Sequence, residues 1–93
     1  MFNLFVTYAA KNSEERKAFY DEVKAAGIID ATRQEDGNIR YEYYFSADRD
    51  NEILLIENWK DKASQEYHDQ LPHIKTLGEI KARHGIDTEF TEF

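Results

Sequence analysis

The chain has 93 residues, a formal net charge of −7 and no cysteine. This length predicts one domain over residues 1–93, and so small a domain often gains stability from a second subunit. The absence of cysteine excludes disulfides, thiolate metal sites and cysteine nucleophiles. The acidic balance argues against nucleic acid and anionic membranes as partners, because both are bound through clustered Lys and Arg. No apolar run approaches the ~18 residues that span a bilayer, and the sequence starts with a strand-like segment, so a cytoplasmic location is predicted.

The N-terminal segment predicts a strand followed by a helix. Residues 2–8 carry apolar side chains on both faces, which is typical of a central strand covered on both sides. Asn12 followed by Glu15 is a capping-box pattern, and Gly27 is a helix stop signal. A helix is therefore predicted over residues 13–26.

The middle of the chain predicts an antiparallel pair of strands. After the helix, the only structure predicted is a turn at Asp36-Gly37-Asn38. In residues 39–45 one face carries an isoleucine and three aromatic side chains. Residues 52–59, after a polar loop, read as the antiparallel neighbour, with apolar side chains on both faces. The second of these strands ends in Glu57 and Trp59.

The C-terminal segment predicts a broken helix and a last strand. Asp61 stands where an N-cap belongs, and residues 63–70 read as a short helix that Pro72 interrupts. Apolar residues then recur at helical spacing up to Gly85, which is a second stop signal. Residues 86–93 alternate again and predict the final strand.

The element order β-α-β-β-α-β predicts an α+β, ferredoxin-like sheet with the helices on one face. The opposite face of such a sheet is apolar and uncovered. A second copy of the chain is the simplest cover, so a homodimer is expected.

The stretch from Glu35 to Leu77 resembles the antibiotic biosynthesis monooxygenase-like family. The family pattern has a glycine turn, an aromatic strand, a Glu-x-Trp strand end and a His-x4-His segment, in this order. The matching residues are Gly37, Tyr41, Glu57, Trp59, His68, Pro72, His73, Ile74 and Lys75.

The resemblance implies a dimeric α+β barrel with a cavity between sheet and helices in each subunit. Members of the family oxidise polycyclic phenols and quinols with molecular oxygen and without metal or flavin, whereas relatives degrade haem or isomerise a phosphorylated signalling sugar. Leu77-Gly78-Glu79 occupies the region where haem-degrading relatives carry an axial histidine. No cofactor is therefore predicted.

Cofactor-free oxygenation needs a base, donors that hold an anion and an apolar cavity. His68 is the predicted base, because an imidazole can accept a proton at neutral pH. The alternative is that His68 lies exposed on a short helix or bonds a partner subunit.

Trp59 and Glu57 are predicted to complete the catalytic group. Trp59 would wall the cavity, stack on a flat substrate and donate its indole N–H, or would be an ordinary core residue. Glu57 lies on the same face and must be paired or protonated if buried, so it is either a partner for a buried His or Arg or a tuned acid.

Tyr8, Tyr41 and His73 are predicted to bind the substrate. Tyr8 and Tyr41 belong to an aromatic stripe that would serve equally as core, and His73 would otherwise cap or pack at the helix break. No metal is predicted, because a proline separates the two histidines and no third ligand is apparent. Arg40 or Arg83 would hold an anionic group if they are not simply solvated surface charge.

The sequence thus predicts a homodimeric, cofactor-independent monooxygenase or oxidase of a small quinol, phenol or similar aromatic. Its partners would be that aromatic substrate and molecular oxygen. The alternatives are an isomerase of a phosphorylated signalling sugar, which requires a cationic anchor in the cavity, and a non-catalytic module that binds a small ligand.

Overall fold

A computed structural model describes all 93 residues, and the chain forms four strands and four helices. Along the chain these are β1 (Phe2–Ala9), α1 (Ser13–Ala25), α2 (Ile28–Arg33), β2 (Asn38–Phe45), β3 (Glu52–Trp59), α3 (Lys62–His68), α4 (Pro72–His84) and β4 (Asp87–Glu92). None of the helices combines the length and the apolar character that crossing a bilayer requires.

The strands form one antiparallel sheet in the order β2-β3-β1-β4. The strand β1 pairs with β3 on one side and with β4 on the other, which confirms that it is a central strand. The predicted ferredoxin-like α+β architecture is confirmed.

The ends of the helices follow the local signals in the sequence. The Asn12 side chain accepts a hydrogen bond from the backbone N–H of Glu15 at 2.8 Å, and Asp61 caps Ser64 in the same way at 2.8 Å. Pro72 opens α4, where its missing N–H costs no hydrogen bond, and Gly85 ends that helix.

The helix α2 was not predicted by the sequence pattern. Gly27 has a φ of 76°, ends α1 and leads directly into six residues of helix. So short a helix is not stable by itself and depends on tertiary packing. Here the packing comes from Ile28, Ile29 and Thr32, which are all buried.

The two faces of the sheet differ in what covers them. The inner face packs against the helices and contains the buried core, with Val6 and Leu55 fully buried. The outer face carries the half-buried side chains of Phe5, Leu54 and Ile56, and no helix covers it. The outer face is therefore the uncovered apolar surface that the element order predicts.

Candidate active site

A cavity of about 220 Å³ lies between the inner face of the sheet and the helices α3 and α4. The strands contribute Tyr8, Tyr41 and Glu57 to its wall, and the helices contribute His68 and Lys81. Four of the six predicted site residues therefore meet in one cavity.

A larger hollow of about 530 Å³ lies between α2 and the outer edge of β2. Its charged residues are Arg33, Arg40 and Glu42. It contains no histidine and no buried carboxylate, so the smaller cavity is the better candidate for chemistry.

His68 is held at the cavity by Glu35, a residue that the sequence pattern did not single out. His68 is the last residue of α3 and its side chain is 4% exposed. Its Nδ1–H donates to Oε2 of Glu35 at 2.7 Å. The other ring nitrogen, Nε2, makes no hydrogen bond within the protein and is not sealed from solvent. A carboxylate that accepts from Nδ1 fixes the tautomer in which Nε2 is the basic nitrogen.

The turn between α2 and β2 places Glu35 where it can reach His68. Gly37 has a φ of 86°, and a Cβ there would lie 2.8 Å from the Cβ of Ser64 at the start of α3. The carbonyl of Gly37 also accepts from the backbone N–H of Lys60 at 2.8 Å. The glycine therefore lets this turn pack directly on the end of β3 and the start of α3.

His73 meets the same carboxylate from the other side of the helix break. Its Nε2–H donates to Oε2 of Glu35 at 2.8 Å, and the His68 and His73 rings lie 6.1 Å apart. The break does put the two rings on different helices, as expected, but they still converge on one atom. His73 does not line the cavity and contacts Glu35 instead.

The expectation that no third metal ligand is apparent is wrong. The donor atoms of Glu35, His68 and His73 all lie within 4.8 Å of one another. However, the two N···O distances are 2.7 and 2.8 Å, whereas donors that share a tetrahedral zinc ion with bonds of about 2 Å lie ~3.3 Å apart. The cluster as it stands is a hydrogen-bonded one, and the prediction of no metal stays a prediction.

The side chains of Glu57 and Trp59 lie on the same face of β3 and are hydrogen-bonded to each other. The Nε1–H of Trp59 donates to Oε1 of Glu57 at 3.0 Å, so the partner of this carboxyl is an indole and not the expected His or Arg. Glu57 is 5% exposed, and its burial raises the pKa of its carboxyl, with the Trp59 hydrogen bond acting in the opposite direction. A carboxyl in this setting can carry a proton closer to neutral pH than an exposed one.

Trp59 lies behind the wall of the cavity rather than on it. It is fully buried, its N–H is occupied by Glu57, and its ring centroid lies 4.8 Å from that of His68. The predicted stacking on a substrate therefore has no counterpart in this arrangement. Trp59 therefore packs against the His68 ring and holds the Glu57 carboxyl through its N–H.

Three tyrosines form the strand side of the site. Tyr8 and Tyr41 line the cavity, and Tyr43 lies beside both, with its hydroxyl 3.5 Å from that of Tyr41. Burial raises the pKa of all three phenols well above 10. They therefore remain neutral hydrogen-bonding groups at physiological pH.

Arg40 and Arg83 are surface charges, which is one of the two alternatives that the sequence left open. Arg83 pairs with Glu22, and Arg40 contacts Glu42 and Tyr44, so neither reaches the cavity. The cation that lines the cavity is Lys81.

The comparisons with known proteins agree with this fold. Residues 1–79 match the family model described as antibiotic biosynthesis monooxygenase. Over 68 residues the chain is 28% identical to YcnE of Bacillus subtilis, which carries the provisional name of a monooxygenase; the match covers 73% of this chain and 70% of that protein.

Two solved structures illustrate the similarity of fold. One is a Deinococcus radiodurans protein provisionally named an antibiotic biosynthesis monooxygenase, with a TM-score of 0.88 at 22% identity over 100% of this chain and 90% of that chain. The other is SnoaB, a cofactor-independent oxygenase from Streptomyces nogalater, with a TM-score of 0.75 at 14% identity over 99% of this chain and 89% of that chain. At these identities the likeness concerns the fold.

Proposed function

Because the chain belongs to the antibiotic biosynthesis monooxygenase family, we propose that it is a cofactor-independent oxygenase of a small quinol, phenol or similar aromatic. The observation that carries this proposal is the pair of His68 and Glu35 at the cavity. The carboxylate orients the imidazole and balances its charge once Nε2 has taken up a proton.

The reaction would begin with transfer of the substrate hydroxyl proton to Nε2 of His68. The resulting anion passes one electron to molecular oxygen, which gives a substrate radical and superoxide. From a phenol, the two combine through a new C–O bond, and loss of water leaves a quinone, so one oxygen atom is retained and the other becomes water. From a quinol, transfer of the second electron gives the quinone and hydrogen peroxide.

The size of the cavity bears on the size of the substrate. Its volume of about 220 Å³ is below the roughly 300–1,000 Å³ of sites that hold drug-sized ligands. This favours a substrate of one or two rings over a polycyclic one. Side chains do not fill the cavity, so the arrangement that would favour a non-catalytic module that binds a small ligand is absent.

The test is oxygen consumption by the purified protein with menadiol or a dihydroxynaphthalene as substrate. General-base catalysis contributes roughly 10²–10⁴-fold, so His68→Gln is expected to lower the rate by at least about 100-fold. His84→Gln is the matched control, since it makes the same change at a histidine outside the cavity. Equal rates for the wild type and His68→Gln, with both folded, would refute the role of the base.

An isomerase of a phosphorylated sugar is the second candidate. It is favoured by one observation, the presence of Lys81 in the cavity wall, because such an enzyme requires a cationic anchor. An isomerase also needs a base and an acid, for which His68 and Glu57 are available. Conversion of a ketose phosphate to its isomer without oxygen uptake would favour this candidate over the oxygenase.

We further propose that two copies of the chain associate through the outer face of the sheet. Phe5 lies opposite Ile56 on that face, and its ring stacks on Phe93 at 3.8 Å between centroids. Ile56→Glu is expected to give a monomer in size-exclusion chromatography with light scattering. Tyr67→Glu, which alters an aromatic side chain that is 64% exposed on the helical side, should leave the dimer intact.

A further inference from the structure

Lys81 faces the cavity from the last turns of α4. The residues that α4 contributes to the cavity wall are Ile74, Leu77, Gly78 and Lys81. Spacings of three, four and seven residues put these positions on one side of a helix. Lys81 therefore shares the cavity-facing side of α4 with two apolar side chains, although lysine side chains in proteins mostly lie in solvent.

The Lys81 ammonium group has no anionic partner in the structure. The carboxyl groups in the cavity wall are Glu57 and Asp69, and neither forms an ion pair with it. Its Nζ lies 5.2 Å from the centre of the Tyr8 ring, which is a cation–π distance. Burial alone lowers the pKa of Lys81, with no charged neighbour acting to restore it. Arg40 and Arg83, by contrast, each have an acidic partner.

Lys81 and His68 lie toward different ends of the cavity. The His73 ring contacts the same carboxylate oxygen as the His68 ring, so the start of α4 marks the His68 end. Lys81 follows His73 by eight residues, which is ~12 Å of helix rise. Gly78, Phe90 and Asp69, which also belong to the cavity wall, are exposed, so the cavity is open to solvent.

We propose that Lys81 binds an anionic group of the substrate, a carboxylate or a phosphate ester, while the hydroxyl that loses its proton lies at His68. The inference rests on the proposed function only in that both use the same cavity. A half-buried ammonium without a counter-ion gains a charge-assisted hydrogen bond when an anion enters. Because the chain carries a net charge of −7, it repels anions at long range, and a local cation is needed to hold one.

The test compares matched pairs of ligands in direct binding. One pair is 6-hydroxy-2-naphthoate and 2-naphthol, which differ by one carboxylate at the end of the ring system opposite the hydroxyl, and the other is ribose 5-phosphate and ribose. Trp59 is the only tryptophan and lies next to His68, so its fluorescence reports on binding without turnover. The wild type is expected to bind the anionic member of one pair at least about tenfold more tightly, as one hydrogen bond to a charged group provides.

Variants at Lys81 separate its charge from its bulk. Lys81→Gln should abolish the preference for the anionic member, whereas Lys81→Arg should keep most of it. Lys75→Gln, which neutralises an exposed lysine on the same helix, should leave it unchanged. The ligand pair that shows the effect identifies the source of the anion as an aryl carboxylate or a phosphate ester.

Two results would overturn the proposal. One is the absence of any anion preference in the wild type, and the other is a preference that survives in a folded Lys81→Gln protein. His68→Gln should retain the preference for the anionic ligand. If only the oxygenase hypothesis is wrong, the wild type should bind the anionic ligand normally and consume no oxygen. The two hypotheses therefore fail in different measurements.

Discussion

Replacing Glu35 tests whether this carboxylate acts through His68. In Glu35→Gln the side chain keeps its shape, and its amide oxygen can still accept from the His68 and His73 rings. The amide NH₂ group then takes the position of Oε1, which has no hydrogen-bond partner in the wild type. The substitution therefore removes the negative charge and breaks no existing hydrogen bond. The protein should remain folded.

The expected loss of activity follows from the charge that His68 acquires during the reaction. A hydrogen bond to a charged group contributes ~1.5–3 kcal/mol, and it is strongest here when the imidazole has been protonated. Loss of that stabilisation in the transition state corresponds to a decrease in kcat of about 10- to 100-fold. The assay is oxygen uptake with menadiol, and Glu66→Gln on the exposed side of α3 is the matched control.

A double substitution shows whether the two residues act as a unit. If Glu35 acts only by orienting His68 and balancing its charge, Glu35→Gln should cause no further loss in a protein that already carries His68→Gln. Multiplicative losses in the double variant would refute this role. So would a Glu35→Gln protein that is folded and as active as the wild type.

Three other predictions concern stability and metal content. His84 donates hydrogen bonds to Glu15 and to Glu22, both at 2.8 Å, and these hydrogen bonds raise its pKa. The protonated His84 therefore stabilises the folded state fully below its ordinary pKa of about 6.5, and this stabilisation is lost as pH rises through the raised pKa. His84→Gln should accordingly lower Tm more at pH 6 than at pH 9. Gly78→Ala should raise the free energy of unfolding by up to ~1 kcal/mol, since Gly78 lies inside a helix and an added Cβ would meet no atom within 4 Å. Gly85→Ala should lower the free energy of unfolding, because the φ of 63° at Gly85 is a left-handed conformation that alanine adopts only with strain. The purified protein should contain less than one equivalent of zinc or iron by mass spectrometry, and chelators should not change its activity; stoichiometric metal that is lost in His73→Gln would contradict this.

The parts of the fold that the sequence predicts are those set by local signals. Asn12, Asp61, Pro72 and Gly85 mark helix ends through their own backbone chemistry, and alternation marks the strands. The helix α2 has no such signal, because six residues directly after a glycine stop are stabilised only by what they pack against.

The candidate site is predictable only in part for the same reason. His68 and Glu57 follow from their position in a recurrent pattern, but Glu35 lies 33 residues before His68 in a polar turn. Its neighbour Asp36 has a side chain that is 98% exposed, while the Glu35 side chain is 8% exposed. No property of the sequence around them distinguishes the two carboxylates, since the difference arises when the turn packs on α3.

Glu57 distinguishes the two candidate reactions, which both start with proton transfer to His68. In the oxygenase the anion reacts with molecular oxygen, and the proton that His68 has taken up returns to the reduced oxygen as water or hydrogen peroxide forms, so no second acid is needed. An isomerase must instead deliver a proton to a different atom of the substrate. Burial raises the pKa of Glu57, which suits it to be that acid. Glu57→Gln preserves the acceptor for the Trp59 N–H but cannot transfer a proton. An oxygenase should therefore keep most of its rate in this variant, while an isomerase should lose it by at least about 100-fold. A large loss of oxygen uptake in a folded Glu57→Gln protein would instead mean that the oxygenase reaction itself needs an acid at this position.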